Sequence, residues 1–296
     1  MSTAVAHDHN APGLPGVSFG CSADGMAVAL VGETAFAMVP TRDGKHFLAT
    51  GWTIRRPLEE WRRDDFYGHS GELADEAAFR AKVLELAEHQ REKSALGRHE
   101  IRSSANTPWG PSQGATIYAE GVVCHSTAGH GGFKLSADRN RKVHPMLRSR
   151  GGWYEEDAEW AIVALTFPHL FTALERRHAD QTVRDSWPDA WEAIFGRMLE
   201  PGESREKDRR AFQKRHADDW IVVSALYSDH EPGFTEVIAT KGGTRTEQSP
   251  IRRYLIAKDE YGTSGHPFGF VIDEVRHRRY RGPSSFAGPI GPEDRT

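Results

Sequence analysis

The residue types that could do chemistry are gathered between positions 107 and 160. His125 and His130 offer two imidazoles; Glu155, Glu156, Asp157 and Glu159 offer four carboxylates; Ser112, Ser126, Thr127 and Cys124 offer hydroxyls and a thiol. Trp109, Trp153 and Trp160 stand among them, and Gly129, Gly131 and Gly132 surround His130. Two chemistries fit. A histidine meeting a carboxylate in one pocket suits hydrolysis: the carboxylate takes a proton from water, while the histidine, or a metal it holds, stabilises the developing charge. On that reading His130, Glu155, Glu156 and Asp157 are the candidate catalytic residues. A glycine loop beside a basic run suits an oxyanion instead, because unhindered amides and cations both attract it. The candidate ligand-binding residues are then Trp109, Ser112, His125, Gly129, Gly131, Gly132, Arg139, Arg141 and Lys142.

Each constellation also has a plainer explanation. The five-residue separation of His125 and His130 matches no standard zinc spacing, so no metal ligand set is assigned and any cofactor is left unspecified. A histidine hydrogen-bonded to backbone in a tight loop accounts for it equally simply. Acids in the first turn of a helix complement the helix dipole without any further role. The counterweight is the apolar stretch Trp160–Leu165, which draws the acids toward a core edge where desolvation raises a pKa or demands a cationic partner. Lys134, Arg139, Arg141, Lys142, Arg148 and Arg150 face one acid, Asp138, which is +5 over residues 134–150 in a chain of net charge −4. That run could hold phosphates, or it could be solvated or paired with the acids of 155–159. Cys124 and His125 are strand neighbours and point to opposite faces, so Cys124 reads as core rather than nucleophile. No Gly-x-Ser-x-Gly elbow and no phosphate loop is present.

Composition narrows the classes. With 38% hydrophobic residues in 296, the chain can bury one large core or two modest ones. Two cysteines exclude a disulfide scaffold and an all-cysteine zinc site. The negative net charge gives no global attraction to nucleic acid or membranes. No apolar run approaches membrane-spanning length, and the polar residues 1–16 lack the apolar core of a signal peptide. The expectation is a cytoplasmic protein with no membrane partner.

The elements that must position these residues follow from periodicity. Asp24-Gly25, Gly32-Glu33 and Asp43-Gly44 punctuate short apolar runs from Val17 to Ile54, which predicts an antiparallel meander. In 55–70, Trp61, Phe66 and Tyr67 are expected to cover a sheet face. Phe79, Val83, Leu86 and Gln90 predict a helix over 74–93, and the polar stretch 91–106 reads as a boundary. Thr116–Tyr118 and Val122–Ser126 form a central hairpin turned at Glu120-Gly121. Gly129 to Gly132 is expected as a loop, Phe133–Leu135 as a third strand, and Ser136 as the cap of a short helix. A helix is predicted from Trp153 to about Phe167, another from Pro168, and another from Pro188 to Leu199. A charged helix over 203–217 precedes strands at Trp220–Tyr227, Phe234–Thr240, Tyr254–Ala257 and Phe268–Ile272. The first two of those strands should pair directly.

The fold class is therefore α+β: an antiparallel N-terminal meander plus helix, a central hairpin and helical segment, and a C-terminal antiparallel sheet. The expected division is a disordered lead over 1–16, an N-terminal domain over 17–98, a central and C-terminal domain over 107–280, and a disordered tail over 282–296.

Thr107-Pro108-Trp109-Gly110, His125-Ser126-Thr127 through His130-Gly131-Gly132-Phe133, Gly152-Trp153-Tyr154-Glu155-Glu156-Asp157 and Trp187-Pro188-Asp189-Ala190 also carry a resemblance. So do Trp220–Ser224 and Phe268–Asp273. The chain resembles an uncharacterised family, a domain of unknown function, carried on plasmids, phages and other mobile elements of proteobacteria and their relatives. Ala128-Gly129 departs mildly from its pattern. The resemblance implies no activity and no catalytic residues. It implies a setting, an accessory protein of a mobile element in a bacterial cytoplasm. The partners that fit are a nucleic acid or other phosphate-bearing ligand, or a host protein such as a defence enzyme to be inhibited. The site is expected where the strand before the glycine loop meets the helix starting near Trp153, bringing His130 to the acids of 155–159.

Overall fold

The computed structural model describes residues 16–246, 249–263 and 267–287. The expected lead, apart from Gly16, and the last part of the expected tail lie outside the described residues. The chain divides into two compact units, Met1–Thr182 and Val183–Thr296.

The first unit begins with the predicted meander. Strands β1 (Val17–Cys21), β2 (Ala27–Val31), β3 (Thr34–Pro40), β4 (His46–Trp52) and β5 (Glu72–Leu73) form a sheet in that order, every pair antiparallel. Gly25, Gly32 and Gly44 turn the chain at φ +76°, +58° and +80°, values that glycine adopts without steric cost. Both sheet faces are covered, which is why β3 reads as nearly continuous apolar sequence. Helix α1 (Glu76–Ala95) lays Phe79, Val83 and Ala87 on one face, against Phe19, Phe36 and Leu48. Trp61 and Phe66 cover the other, against Val28, Ala37 and Val39, while Tyr67 stays exposed. Asp75 caps α1 by accepting the Ala78 N–H at 2.7 Å.

The stretch 91–106, expected as a boundary, carries the end of α1 and an edge strand, β6 (His99–Ile101). Arg98 in it is buried, with its guanidinium 4.1 Å from the Tyr118 ring centre. It also donates to both oxygens of Glu175, at 2.9 and 2.6 Å. A small ribbon, β7 (Asn106–Thr107) and β8 (Gly110–Pro111), follows. Then come β9 (Gly114–Ala119), β10 (Val122–Ser126), β11 (Gly131–Leu135), helix α2 (Ala137–Arg141) and β12 (Trp153–Glu155). The second sheet has the order β12-β11-β10-β9-β6 and is antiparallel throughout. One face is apolar, with Tyr118, Phe133 and Phe171 in ring contact. The other face carries the candidate site. The expected cap is present, Ser136 Oγ accepting the Arg139 N–H at 3.3 Å.

Three expectations fail in this stretch. Trp153 does not start a helix. Trp153, Tyr154 and Glu155 alternate half-buried, buried, half-buried, the period of a strand, and pair with Lys134, Phe133 and Gly132. Gly152 at φ +67° turns the chain sharply into that strand, so helix α3 (Trp160–Thr166) begins only after a turn over 156–159. Glu155 and Glu159 therefore do not share a helix face. Gly131 and Gly132, expected in a loop, are buried strand residues opposite Ser126 and His125. Only Thr127 to His130 turns. Pro168 starts a single turn of 3-10 helix, and helix α4 (Ala173–Ser186) follows.

The second unit contains helices α5 (Pro188–Phe195) and α6 (Arg205–Arg215). α5 stops short of the expected Leu199 because Gly196 takes a left-handed cap at φ +65°. α6 has no buried residue and pairs its charges along its own surface, Arg209 and Arg210 both with Glu206. Strands β13 (Trp220–Tyr227), β14 (Phe234–Lys241) and β15 (Ile251–Ala257) come next, then helix α7 (Lys258–Thr263) and strand β16 (Arg278–Arg279). The sheet runs β13-β14-β15-β16, and β13 pairs β14 as predicted. Phe268–Ile272 is not a strand of this sheet. Gly269 at φ +132° breaks its extension, one bridge joins Val271 to Ile221, and Phe270 and Ile272 serve as core. Glu236 on β14 is fully buried. It accepts from Arg253 Nη1 at 3.1 Å, Ser284 Oγ at 3.0 Å and the Ser285 N–H at 2.9 Å. Residues 284 and 285, expected to begin a loose tail, are thus held by a core carboxylate.

Candidate functional site

Three sequence segments meet on one face of the second sheet. The register places His125, Gly132 and Glu155 side by side on β10, β11 and β12. Cross-strand partners point to the same face, as do residues two apart, so Lys134 and Trp153 share it. The glycine at the centre of that row leaves a gap, and Trp109 fills it. A Cβ on Gly132 would lie 2.4 Å from Trp109 Cη2 and 2.3 Å from the Tyr154 carbonyl oxygen. Thr107-Pro108-Trp109-Gly110 is the tight turn that delivers this indole. Thr107 Oγ1 donates to the Gly110 carbonyl at 2.7 Å and accepts the Trp109 N–H at 3.2 Å, while Gly110 takes φ +118°. Trp153 meets Trp109 edge to face, with ring centres 5.8 Å apart.

The three glycines differ in purpose. Gly131 points to the opposite face, where a Cβ would lie 2.4 Å from Glu156 Oε2. Gly129, in the turn, has open space around it and no left-handed backbone. None of the three forms an amide cradle of positive φ.

On one side of the Trp109 indole stand the acids and His130. Thr127 Oγ1 donates to the His130 carbonyl at 2.5 Å, and Thr127 N–H donates to the same oxygen at 2.9 Å, which fixes the turn. His130 Nδ1 comes to 3.7 Å from Glu155 Oε1, too long for a hydrogen bond. Glu155 Oε2 accepts the Asp157 N–H at 2.7 Å, and Glu159 Oε2 accepts the Glu155 N–H at 3.0 Å. The carboxylate of Glu155 is thereby oriented, with Oε1 buried and without a hydrogen-bond partner. One donor atom each from His130, Glu155 and Asp157 lie within 4.8 Å of one another. Spacing in the sequence suggested no such set. Glu156 does not join it, because it lies against Gly131 on the other face.

On the other side of the indole stands His125, with its ring 5.6 Å from that of Trp153. Ser112 Oγ donates its one proton to the Gly114 carbonyl at 2.8 Å. It must therefore accept from His125 Nδ1, 3.2 Å away, and the network assigns the Nδ1–H tautomer. Burial lowers the pKa of this histidine and keeps it neutral at pH 7. Ser112 and His125 are brought together, but across the indole from His130. Burial also pushes the Cys124 thiol up to about 11, which removes it as a nucleophile.

The basic run does not pair with the acids. Arg139 donates to the Glu120 carbonyl at 3.1 Å, Arg148 to the Val143 carbonyl at 3.0 Å, and Arg141 pairs with Asp138. Lys142 is exposed. Among the described residues no lysine or arginine comes within ion-pair range of Glu155 or Asp157, and His130 is the one basic group that does. Two carboxylates without a compensating side chain make this the natural place for a cation.

Among the described residues no helix is long and apolar enough to cross a membrane. No curated protein and no solved structure matches the chain. The glycine-bearing strands, the Trp109 turn and the His130, Glu155 and Asp157 set all fall within residues 102–217, which match the family described as "Domain of unknown function (DUF7007)".

Proposed function

We propose that residues 102–217 carry a hydrolytic centre that takes a divalent cation between His130, Glu155 and Asp157, in a cytoplasmic accessory protein of a mobile genetic element. The observation that carries this reading is the meeting of one imidazole and two carboxylates within 4.8 Å, with one carboxylate oxygen buried and unpartnered. A mixed nitrogen and oxygen set suits zinc, manganese or iron. His130 and Asp157 are exposed, so a bound ion keeps positions open toward solvent, as catalytic sites do. Once bound, such an ion supplies Lewis acidity and lowers the pKa of a bound water. The chain's own groups prepare the centre. The Asp157 N–H and the Glu159 carboxylate orient Glu155, the Thr127 turn fixes His130, and the Trp109 indole walls one side.

Calorimetric titration of the full chain with Zn²⁺ and Mn²⁺ tests this, alongside His130→Ala and Glu155→Gln. Each variant is expected to bind at least about tenfold more weakly, which is a loss of about 1.4 kcal/mol or more. His130 is exposed, so His130→Ala should shift the unfolding free energy by no more than about 0.5 kcal/mol. A wild-type chain that takes up neither ion sinks the centre. Hydrolysis of chromogenic phosphate and carboxylate esters that survives Glu155→Gln would place the chemistry elsewhere.

A further inference from the structure

A cavity of about 360 Å³ lies between the end of β11, helix α2 and the approach to β12. Lys134, Arg141 and Arg150 line it together with Ser136 and Asn140, and no acidic residue does. Three cations converging from separate segments would repel one another unless an anion is brought between them. Their donors are not used up. Lys134 Nζ spends one of three N–H groups on the Gly151 carbonyl, at 2.7 Å. Arg141 pairs through a single nitrogen with the exposed Asp138. Arg150 has no hydrogen bond or ion pair among the described residues. Asn140 is held at both ends of its amide, donating to the Ser149 carbonyl at 2.7 Å and accepting from the Tyr154 hydroxyl at 2.6 Å, so it forms a fixed wall. Of the expected ligand-binding cations Arg141 lines the cavity and Arg139 and Lys142 do not, whereas Lys134 and Arg150 of the same basic run do.

We infer that this cavity is a subsite for a phosphate group, which anchors the substrate of the neighbouring centre. Arginine presents paired donors that match phosphate oxygens, and the volume admits a phosphate with part of its alcohol. Lys134 stands two residues from Gly132 on β11, and its partner Trp153 stands two residues from Glu155 on β12. Two residues of antiparallel strand span about 7 Å, and the other lining residues lie farther along β11 and β12, so the anchored phosphate stands at least that far from the cation. The substrate class is therefore a phosphate ester long enough to reach both sites, in which hydrolysis breaks a bond beyond the anchored phosphate and water gives OH to one fragment and H to the other. This substrate assignment rests on the hydrolytic reading of His130, Glu155 and Asp157, whereas the subsite stands on its own residues.

The test is binding, measured on the full chain in chelator-treated buffer so that no cation bridges the ligand. Inorganic phosphate, a nucleoside 5′-monophosphate, and a short single-stranded oligonucleotide with and without a 5′-phosphate are titrated separately. The wild type is expected to bind the phosphorylated probes, with affinity falling as salt rises. The double variant Arg141→Gln/Arg150→Gln is expected to lose at least about tenfold, while Arg80→Gln, an exposed cation on α1, leaves binding unchanged. Both arginines are on the surface, and unfolding curves confirm that the double variant folds. Tighter binding of the phosphorylated oligonucleotide than of the monophosphate identifies nucleic acid as the source; equal binding identifies a small ester. Equal affinity in wild type and double variant, or phosphate binding that requires added metal, overturns the subsite. Failed metal titration with intact phosphate binding removes the hydrolytic centre alone, and the reverse result removes the cavity alone.

Discussion

Trp109 occupies the place that a side chain on residue 132 would take: a Cβ there would stand 2.4 Å from the indole Cη2. The turn over 107–110 and the second glycine of His130-Gly131-Gly132 are thus two halves of one contact. That contact separates His125 on one side from His130 and Glu155 on the other. The same Cβ would also stand 2.3 Å from the Tyr154 carbonyl, which as backbone in a paired strand cannot move cheaply. Gly132→Ala should therefore cost about 1 to 3 kcal/mol in urea unfolding and alter tryptophan fluorescence. Gly129→Ala, with open space around it, should cost no more than about 0.5 kcal/mol. Equal effects from the two would mean that the indole is not seated on Gly132.

His125 supplies a pH dependence whose sign can be worked out. Burial lowers its folded pKa below the ordinary histidine value of about 6.5, so the unfolded chain binds the extra proton first. Its contribution to stability is fully present above that value and is lost as pH falls through the folded pKa. Histidine signals followed by NMR should show one ring, absent in His125→Gln, that titrates below about 6.5. A His125 that titrates at or above about 6.5 contradicts the buried placement.

The Glu236 carboxylate carries a second, independent dependence in Val183–Thr296. Burial alone would raise its pKa, but the Ser285 N–H, Arg253 and Ser284 outweigh burial and hold it below the usual carboxylate range. The stability it contributes is present above the unfolded glutamate value of about 4.3 and is lost as pH falls through the depressed folded value. Glu236→Gln removes the buried charge that Arg253, Ser284 and Ser285 all contact and should cost about 3 to 5 kcal/mol by denaturant titration. A cost below about 1 kcal/mol would show that the pair is not buried as described.

The two thiols should separate cleanly. Cys21 is exposed, whereas burial pushes Cys124 up to about 11. A disulfide exchange reagent at pH 8 is expected to label one thiol quickly and the second only on addition of denaturant, because the thiolate is the reacting form. Rapid labelling of both in the native protein would reopen a nucleophilic role for Cys124.

Short-range chemistry was legible in the chain alone. Asp24-Gly25, Gly32-Glu33 and Asp43-Gly44 specify hairpin turns by their tolerance of positive φ, and the meander follows from them. Phe79 and Val83 place α1, Glu120-Gly121 places the β9–β10 hairpin, Ser136 caps α2, and the short turn before Phe234 pairs β13 with β14. In each case the deciding interaction lies within a few residues, and the residue types state it. The approach of His130 to Glu155 was expected from the apolar stretch 160–165, which needs neighbours, although the expected loop and helix are strands and the basic run does not supply counter-charges to the acids.

Tertiary structure decided the rest. Trp153-Tyr154-Glu155 suits a helix or a strand equally well, and only its pairing with Gly132, Phe133 and Lys134 selects the strand. Three glycines around His130 look alike in the chain, yet one yields to Trp109, one to Glu156 and one to nothing. Glu155, Glu156 and Asp157 are three adjacent acids, yet the turn after the strand leaves Glu156 against Gly131 while Glu155 and Asp157 stand by His130. Which cations of 134–150 remain available depends on which backbone carbonyls come within reach, and the fold alone brings them there. Side-chain periodicity and turn preference are properties of neighbours along the chain, whereas occupied space and unmet charge belong to residues brought together only when the sheet closes.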